Sequence, residues 1–139
     1  MSLTVAEGRD DILTVVKTAW DTTGFTMVYD DQVGSIPTTM VTWARTTVGH
    51  AGGGQATLSG SLGQQRYKRT GVVIVQIFTP SSEGLFSSDN SAKVIMDAFD
   101  GKSSENGVWF KNVRFVEVGP DGDFYQCNVL IDFEYDEIK

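Results

Sequence analysis

The amino-acid sequence predicts an α+β fold, with a mainly antiparallel sheet of about four to six strands flanked by two helices. Three features predict this fold class. Six of the seven residues in Val72–Phe78 are apolar, which is typical of a strand buried on both faces. Two other segments repeat apolar residues at helical spacing. The last segment of the chain alternates apolar and polar residues, as a strand with one covered face does.

Length and composition predict one folded domain spanning residues 1–139. The chain is 40% hydrophobic and 11% aromatic, as in ordinary globular proteins. No apolar run approaches the roughly 20 residues that span a bilayer, so we expect no membrane segment. Acidic residues interrupt the first eleven positions, unlike a signal peptide, which indicates synthesis in the cytoplasm. The single cysteine, Cys127, excludes an intramolecular disulfide.

The first element is predicted to be a helix over Val5–Asp21. Thr4 and Glu7 have the spacing of a capping box immediately before an amphipathic series. Residues 22–24, Thr-Thr-Gly, are expected to end the helix. At its helical spacing, Trp20 is expected to be a core residue rather than a platform for a ligand.

Two strands are predicted next, over Phe25–Tyr29 and Thr38–Val48, where Thr, Val and Trp are frequent. From Gly49 to Gln65 the sequence carries six glycines and few large apolar residues. Such a segment cannot bury enough surface to offset its ordering entropy by itself. We therefore expect a long flexible arm or a loosely formed hairpin there.

The central strand follows a basic segment that contains Arg66, Lys68 and Arg69. It is expected to end at Pro80, which has no amide hydrogen for a ladder hydrogen bond. Four of its apolar residues are expected in the core: Val72, Ile74, Ile77 and Phe78.

A second helix is predicted after this strand, with Ser87, Ser88 and Asp89 as candidate N-cap residues and Gly101 beyond its end. Its apolar stripe consists of Ala92, Ile95, Met96 and Phe99. This strand–helix unit contains no reactive group, which favours a protein that assembles over one that catalyses.

Two strands are predicted to close the chain. The first covers Val108–Val118 and is followed by a turn at residues 119–123, Gly-Pro-Asp-Gly-Asp. The second has the clearest alternation in the sequence, which predicts one face on the core and one facing solvent or a partner. Its core-facing residues are Cys127, Val129, Ile131, Phe133 and Tyr135.

Candidate chemical groups are few, and we expect no catalytic residues, cofactor or metal. His50 is the only histidine, and no serine or cysteine lies in a recognisable nucleophile turn beside it. Gly49 and Gly54 have the separation of a phosphate loop, but Gln55 and Ala56 replace the required Lys and Ser/Thr. Acidic pairs such as Asp121 and Asp123 lack the spacing of a calcium loop. The net charge of −7 argues against a protein that grips DNA phosphates.

Four segments in this order resemble the tail terminator, or tail completion, proteins of long-tailed bacteriophages. They are the N-terminal helix, the passage Gly53-Gly54-Gln55-Ala56-Thr57-Leu58-Ser59-Gly60, the block Arg69–Pro80 with Glu83-Gly84, and the ending Phe124–Val129 to Phe133-Glu134-Tyr135. None of the four is a catalytic signature, so the resemblance depends on their combination.

The resemblance implies an α+β sheet flanked by helices and a hexameric ring. Such a ring would cap the tail tube, stop tube polymerisation and join the tail to the head-side connector or stopper protein. The protein would then be part of the virion, at the head-proximal end of the tail. DNA would pass through the ring without specific binding, because a lumen of like charge does not hold it.

Two charged sets are candidate surfaces between neighbouring subunits of such a ring. One precedes the central strand and the other lies on the polar face of the last strand. The candidate interface residues are Arg66, Lys68 and Arg69 in the basic set, and Asp132, Glu134 and Asp136 in the acidic set.

Other function classes stay open at this stage. A tube subunit or a head–tail stopper has a similar size and no catalytic signature, but a tube subunit polymerises without limit whereas a terminator closes at a ring. A small ligand-binding module or an enzyme would need a deep pocket with converging polar groups, and the sequence offers no cluster to form one.

Overall fold

A computed structural model describes residues 3–29, 41–55 and 65–138 of the chain. Two α-helices and five strands make up its regular elements. The helices are α1, Val5–Trp20, and α2, Gly84–Phe99. One short 3₁₀ turn, Asp21–Thr23, follows α1, and another, Ser81–Glu83, precedes α2. The strands are β1, Thr26–Tyr29; β2, Trp43–Gln55; β3, Arg66–Pro80; β4, Trp109–Asp121; and β5, Phe124–Ile138.

The five strands form one sheet in the order β1-β2-β3-β5-β4. Strand β1 runs parallel to β2, and every other neighbouring pair is antiparallel. The sheet and its two helices confirm the predicted α+β class. The long apolar strand β3 is central, as its sequence indicates, and it ends at Pro80 as predicted.

Helix α1 begins as its sequence predicts. The Thr4 hydroxyl accepts from the Glu7 amide, and the Glu7 carboxylate accepts from the Thr4 amide, which confirms the capping box. The side chain of Trp20 is fully buried, and its indole nitrogen donates to the Thr26 carbonyl at 3.3 Å. This buried position confirms that Trp20 is a core residue.

Helix α2 begins earlier than the sequence indicates. It starts at Gly84, where a φ of +76° suits a glycine, instead of at the predicted caps near Ser87 and Ser88. Ser88 is fully buried, and its hydroxyl donates to the Cys127 sulfur at 3.2 Å. The predicted N-cap was therefore wrong, because this serine satisfies its hydroxyl across the core rather than at the helix end.

The hydrophobic core lies on one face of the sheet, which both helices cover. Alternate residues of β3 and β5 point into it and are fully buried, including Val73, Val75 and Ile77 of β3 and Cys127, Val129 and Ile131 of β5. Helix side chains such as Ile12 and Ile95 fill the space above them. This confirms the core face predicted for the last strand.

No helix covers the opposite face in the described ranges, and we call it the helix-free face. On this face Val72 and Ile74 are only half-buried, so the prediction that they belong to the core was wrong. Phe78 is buried there, and its ring stacks on Trp43 with the ring centroids 4.3 Å apart. The prediction holds for Phe78 and for Ile77, which lies on the core face.

The glycine-rich segment is partly a regular strand. Gly49–Gln55 continue β2 and pair in antiparallel fashion with β3 residues Tyr67–Val72. This half therefore fits the hairpin that the sequence predicts as one alternative, and a flexible arm is not confirmed. The other half, residues 56–64, lies outside the described residues. On the partner strand β3, residue 71, opposite His50, has to be a glycine, because a Cβ there would lie 2.1 Å from the Gly49 carbonyl oxygen.

Candidate subunit interface

Strand pairing brings the two predicted charged sets together at one end of the sheet. Strands β3 and β5 are antiparallel, and their register places Lys68 opposite Asp136 and Arg66 opposite Ile138. The start of β3 therefore lies beside the end of β5. Residues directly opposite or diagonal across an antiparallel pair share one face and can interact.

The charges pair within the chain on the helix-free face. Arg66 Nε lies 3.5 Å from Asp136 Oδ2, and Lys68 Nζ lies 3.6 Å from Glu134 Oε2. About half of each basic side chain is exposed to solvent. Exposed pairs of this kind contribute about 0–1 kcal/mol each to stability. They therefore affect the charge of the surface more than the stability of the fold.

Arg69 points to the opposite face of the sheet. Its Nη2 donates to Glu137 Oε1 at 2.9 Å, and its guanidinium carbon lies 5.9 Å from the centroid of the Tyr67 ring. The structure therefore separates Arg69 from Arg66 and Lys68. This separation could have been predicted from the sequence, because side chains alternate between the two faces of a strand. Residues 66 and 68 share one face, and residue 69 lies on the other.

Strand β4 adds two basic residues that the sequence reasoning missed. Lys111 Nζ lies 3.5 Å from Glu134 Oε2, and Arg114 makes two hydrogen bonds to the Asp132 carboxylate, at 3.1 and 3.2 Å. Hydrogen bonds from Arg114 and Asn112 lower the pKa of Asp132. No local signal in the sequence identifies these partners, since they depend on the pairing of β4 with β5.

We use the name charge ladder for the seven residues that pair on the helix-free face: Arg66, Lys68, Lys111, Arg114, Asp132, Glu134 and Asp136. Four are basic and three are acidic, so the ladder is close to neutral although the chain carries −7.

An aliphatic strip lies next to the charge ladder. Ile74 sits between Thr47 of β2 and Leu130 of β5, and all three are half-buried. Val116 of β4 is 43% exposed and lies opposite Asn128, the next helix-free position of β5. The helix-free face thus combines an aliphatic strip with paired charges next to it.

His50 lies on the core face of the sheet, where it contacts Arg9 and Tyr135. Arg9 of α1 donates to His50 Nδ1 at 3.4 Å, so the ring proton lies on Nε2, which donates to the Tyr135 hydroxyl at 2.6 Å. Burial, followed by the positive charges of Arg9 and Arg69, lowers the pKa of His50. Through Arg9 and Tyr135 the histidine links α1 to the sheet.

Two surface grooves lie beside the helices of the described chain. A surface groove of about 330 Å³ lies along α1 and the end of α2, and one of about 260 Å³ separates α2 from β4. Residues 3–29, 41–55 and 65–138 hold no group of three His, Cys, Asp or Glu side chains that could bind a metal. None of the helices in these ranges is long and apolar enough to cross a membrane.

Comparison with known proteins adds a family match. A family model described as "Phage tail terminator protein" matches residues 11–123. One solved structure shares 15% sequence identity with a TM-score of 0.63, over 91% of this chain and 94% of the other. That likeness shows the same fold. No curated protein matches the sequence.

Proposed function

The chain belongs to the phage tail terminator family, and from this premise we propose that it forms a hexameric ring that caps the tail tube. The family match confirms the resemblance found in the sequence and makes the protein a structural component of the phage tail. The ring would end tube polymerisation on one side and join the head connector or stopper protein on the other. The observation that carries the proposal is the family match, which spans most of the folded chain.

The helix-free face supports assembly from copies of one acidic chain. Chains with a net charge of −7 repel one another, so they approach most easily where the local charge is balanced. The charge ladder and the aliphatic strip beside it provide such a surface. We therefore propose that Arg66, Lys68, Asp132, Glu134 and Asp136 border a contact between neighbours, with Arg69 at its margin on the opposite face.

Ring closure would limit growth by geometry. A contact between two different surfaces of identical subunits forms a ring when its rotation closes, and it then leaves no free site. Six copies at −7 each would carry −42, and a negative lumen would let DNA pass without adhesion. The charges of the ladder would mainly steer association and register.

The test is a phage that lacks this protein, with tails imaged by electron microscopy. We expect tails of irregular length that do not join heads, and restoration of uniform tails when the protein is supplied. Uniform tails attached to heads in its absence would overturn the proposal. In a second arm, purified protein is mixed with tail tubes, and addition of one ring per tube end is expected. Growth of long polymers of this protein would indicate a tube subunit instead.

A further inference from the structure

An apolar groove lies between helix α2 and strand β4, on the side of the sheet that carries the helices. We call it the α2–β4 groove, and its lining residues are Asp89, Ala92, Met96, Phe115 and Glu117. Phe115 and Glu117 lie opposite Val129 and Cys127, which point into the core, so the groove is on the core side. Its volume of about 260 Å³ is below the roughly 300–1,000 Å³ of ligand pockets, which favours protein side chains as occupants.

Two carboxylates border this groove without a basic partner. The side chains of Asp89 and Glu117 are exposed, and neither carboxylate makes an ion pair or a hydrogen bond with another residue in the described ranges. Desolvation, followed by the charge of Glu117 and then that of Asp89, raises the pKa of Tyr125, so the two charges lie close together. The rim of the groove therefore presents two negative charges to an arriving surface.

Two large apolar side chains continue the groove at the start of α2. Leu85 is 50% exposed and Phe86 is 80% exposed. Leu85 lies on the same face of the helix as Ala92 and Met96, because residues seven and eleven positions apart are separated by about two and three turns. An apolar groove that continues into exposed leucine and phenylalanine side chains indicates a protein contact surface.

The helix-free face, on the other side of the sheet, carries complementary groups. Arg45 lies on that face two residues after Trp43, and its guanidinium carbon is 5.6 Å from the centroid of the Trp43 ring. It makes no ion pair in the part of the chain that the structure describes. Arg45 is paired in register with Gln76, two residues from Ile74 of the aliphatic strip. A cation beside aliphatic side chains complements carboxylates beside an apolar groove.

Ring geometry favours a second copy of this chain as the occupant. A contact that closes into a ring joins two different surfaces of identical subunits. The proposed function uses one of them, the helix-free face, and the α2–β4 groove lies across the sheet from it, so both can be occupied at once. The charge ladder has four basic and three acidic residues, so it adds no net negative charge that would repel the carboxylates of the groove.

We propose that the α2–β4 groove receives the helix-free face of the neighbouring subunit, with the neighbour's Arg45 facing Asp89 and Glu117. This inference rests on the proposed ring and names its second surface. Leu85 and Phe86 would pack against the neighbour's aliphatic strip and exclude water. The charges would mainly fix orientation and register.

The first test reverses the charges of the rim, Asp89→Lys with Glu117→Lys. We expect an unchanged melting temperature, because both side chains are exposed. Two negative charges become positive, so the net charge changes from −7 to −3, which by itself would favour association of the copies. We nevertheless expect loss of the ring, measured by native mass spectrometry with and without tail tubes. The matched control, Asp10→Lys with Asp100→Lys, makes the same change at two exposed carboxylates outside the groove and is expected to form rings.

A mixing experiment identifies the surface that meets the groove. The face variant, Ile74→Gln with Val116→Gln, removes apolar contacts from the helix-free face and leaves the groove intact. Val116→Gln alone, at an exposed position, replaces it if the double variant does not fold. Under the conditions in which the wild type forms rings, neither variant alone should do so. Their equimolar mixture should stop at pairs of one groove variant and one face variant, because only one intact contact joins them.

Three results would overturn the inference while the proposed function stands. They are rings formed by the groove variant, equal loss of rings in the control, and a mixture that yields no such pairs. Rings of the groove variant that no longer bind tail tubes or heads would assign the groove to a different protein. Absence of wild-type rings on tail tubes would overturn the proposed function itself.

Discussion

The two faces of the sheet use apolar residues for different purposes. On the core face, side chains such as Val75 and Ile131 are fully buried under the helices. On the helix-free face, Ile74 and Leu130 are half-buried beside a ladder of paired charges. The same strands thus carry one surface that stabilises the fold and another on which we propose that subunits meet. Mutations on the two faces should therefore separate stability from assembly.

The largest expected effect comes from Phe78, a buried aromatic residue of the helix-free face. Phe78→Ala removes a ring that stacks on Trp43, and we expect a loss of roughly 3–5 kcal/mol in the free energy of unfolding. Chemical denaturation measures this loss. A loss below about 1 kcal/mol would mean that this end of the face is as open as the rest.

Neighbouring isoleucine-to-alanine variants on β3 compare the two faces directly. Ile77→Ala empties a fully buried site, with an expected loss of about 2–5 kcal/mol. Ile74→Ala truncates a half-buried side chain and should cost about 1 kcal/mol, since part of its surface already meets water. Equal losses in denaturant titrations would contradict the distinction between the faces. Only Ile74→Ala is expected to weaken the ring.

We expect the free energy of unfolding to fall at acidic pH, because His50 lies where α1 contacts the sheet. The pKa of His50 is lowered from 6.5 in the folded chain by burial and by Arg9 and Arg69. The unfolded chain therefore binds a proton at a higher pH than the folded chain. The stability from neutral His50 is present above pH 6.5 and is lost as pH falls toward the folded value.

Thermal melts between pH 7.5 and 5 measure this effect, and His50→Gln serves as the control. Glutamine does not titrate, so the variant should lose less stability over that interval than the wild type does. Asp132 does not contribute in this interval, because its pKa lies below its ordinary value of 3.8. A steeper loss in the variant would contradict the assignment to His50.

The smallest effect on stability is expected from the charge ladder. Exchanging a pair, Arg66→Asp with Asp136→Arg, keeps opposite charges together within the chain and should change the free energy of unfolding by about 1 kcal/mol or less. If these residues also border the neighbour, the exchange inverts the charges that the neighbour meets and slows ring assembly. Light scattering over time compares the rates. An unchanged rate would confine the ladder to a role within one subunit.

The sequence by itself determined the elements whose causes are local. The capping box at Thr4 and Glu7 begins α1, the proline at residue 80 ends β3, and the alternation of β5 identifies its core face. Each follows from spacing along the chain, because helix and strand periods fix which side chains share a face. The segments quoted for the resemblance also sufficed to indicate the family that the comparison confirmed.

Only the tertiary structure decided which face of β3 is covered. Val72 and Ile74 are as apolar as Val73 and Val75, so composition predicts burial for both sets, and the position of the helices separates them. Pairing of Arg66 with Asp136 within the chain likewise depends on register between distant segments. The glycines of residues 49–55 predict a flexible arm or a loose hairpin, and only the pairing with β3 makes them strand residues. At Gly53 a Cβ would lie 2.1 Å from the Lys68 carbonyl oxygen of β3, so this glycine is required because the partner strand lies beside it.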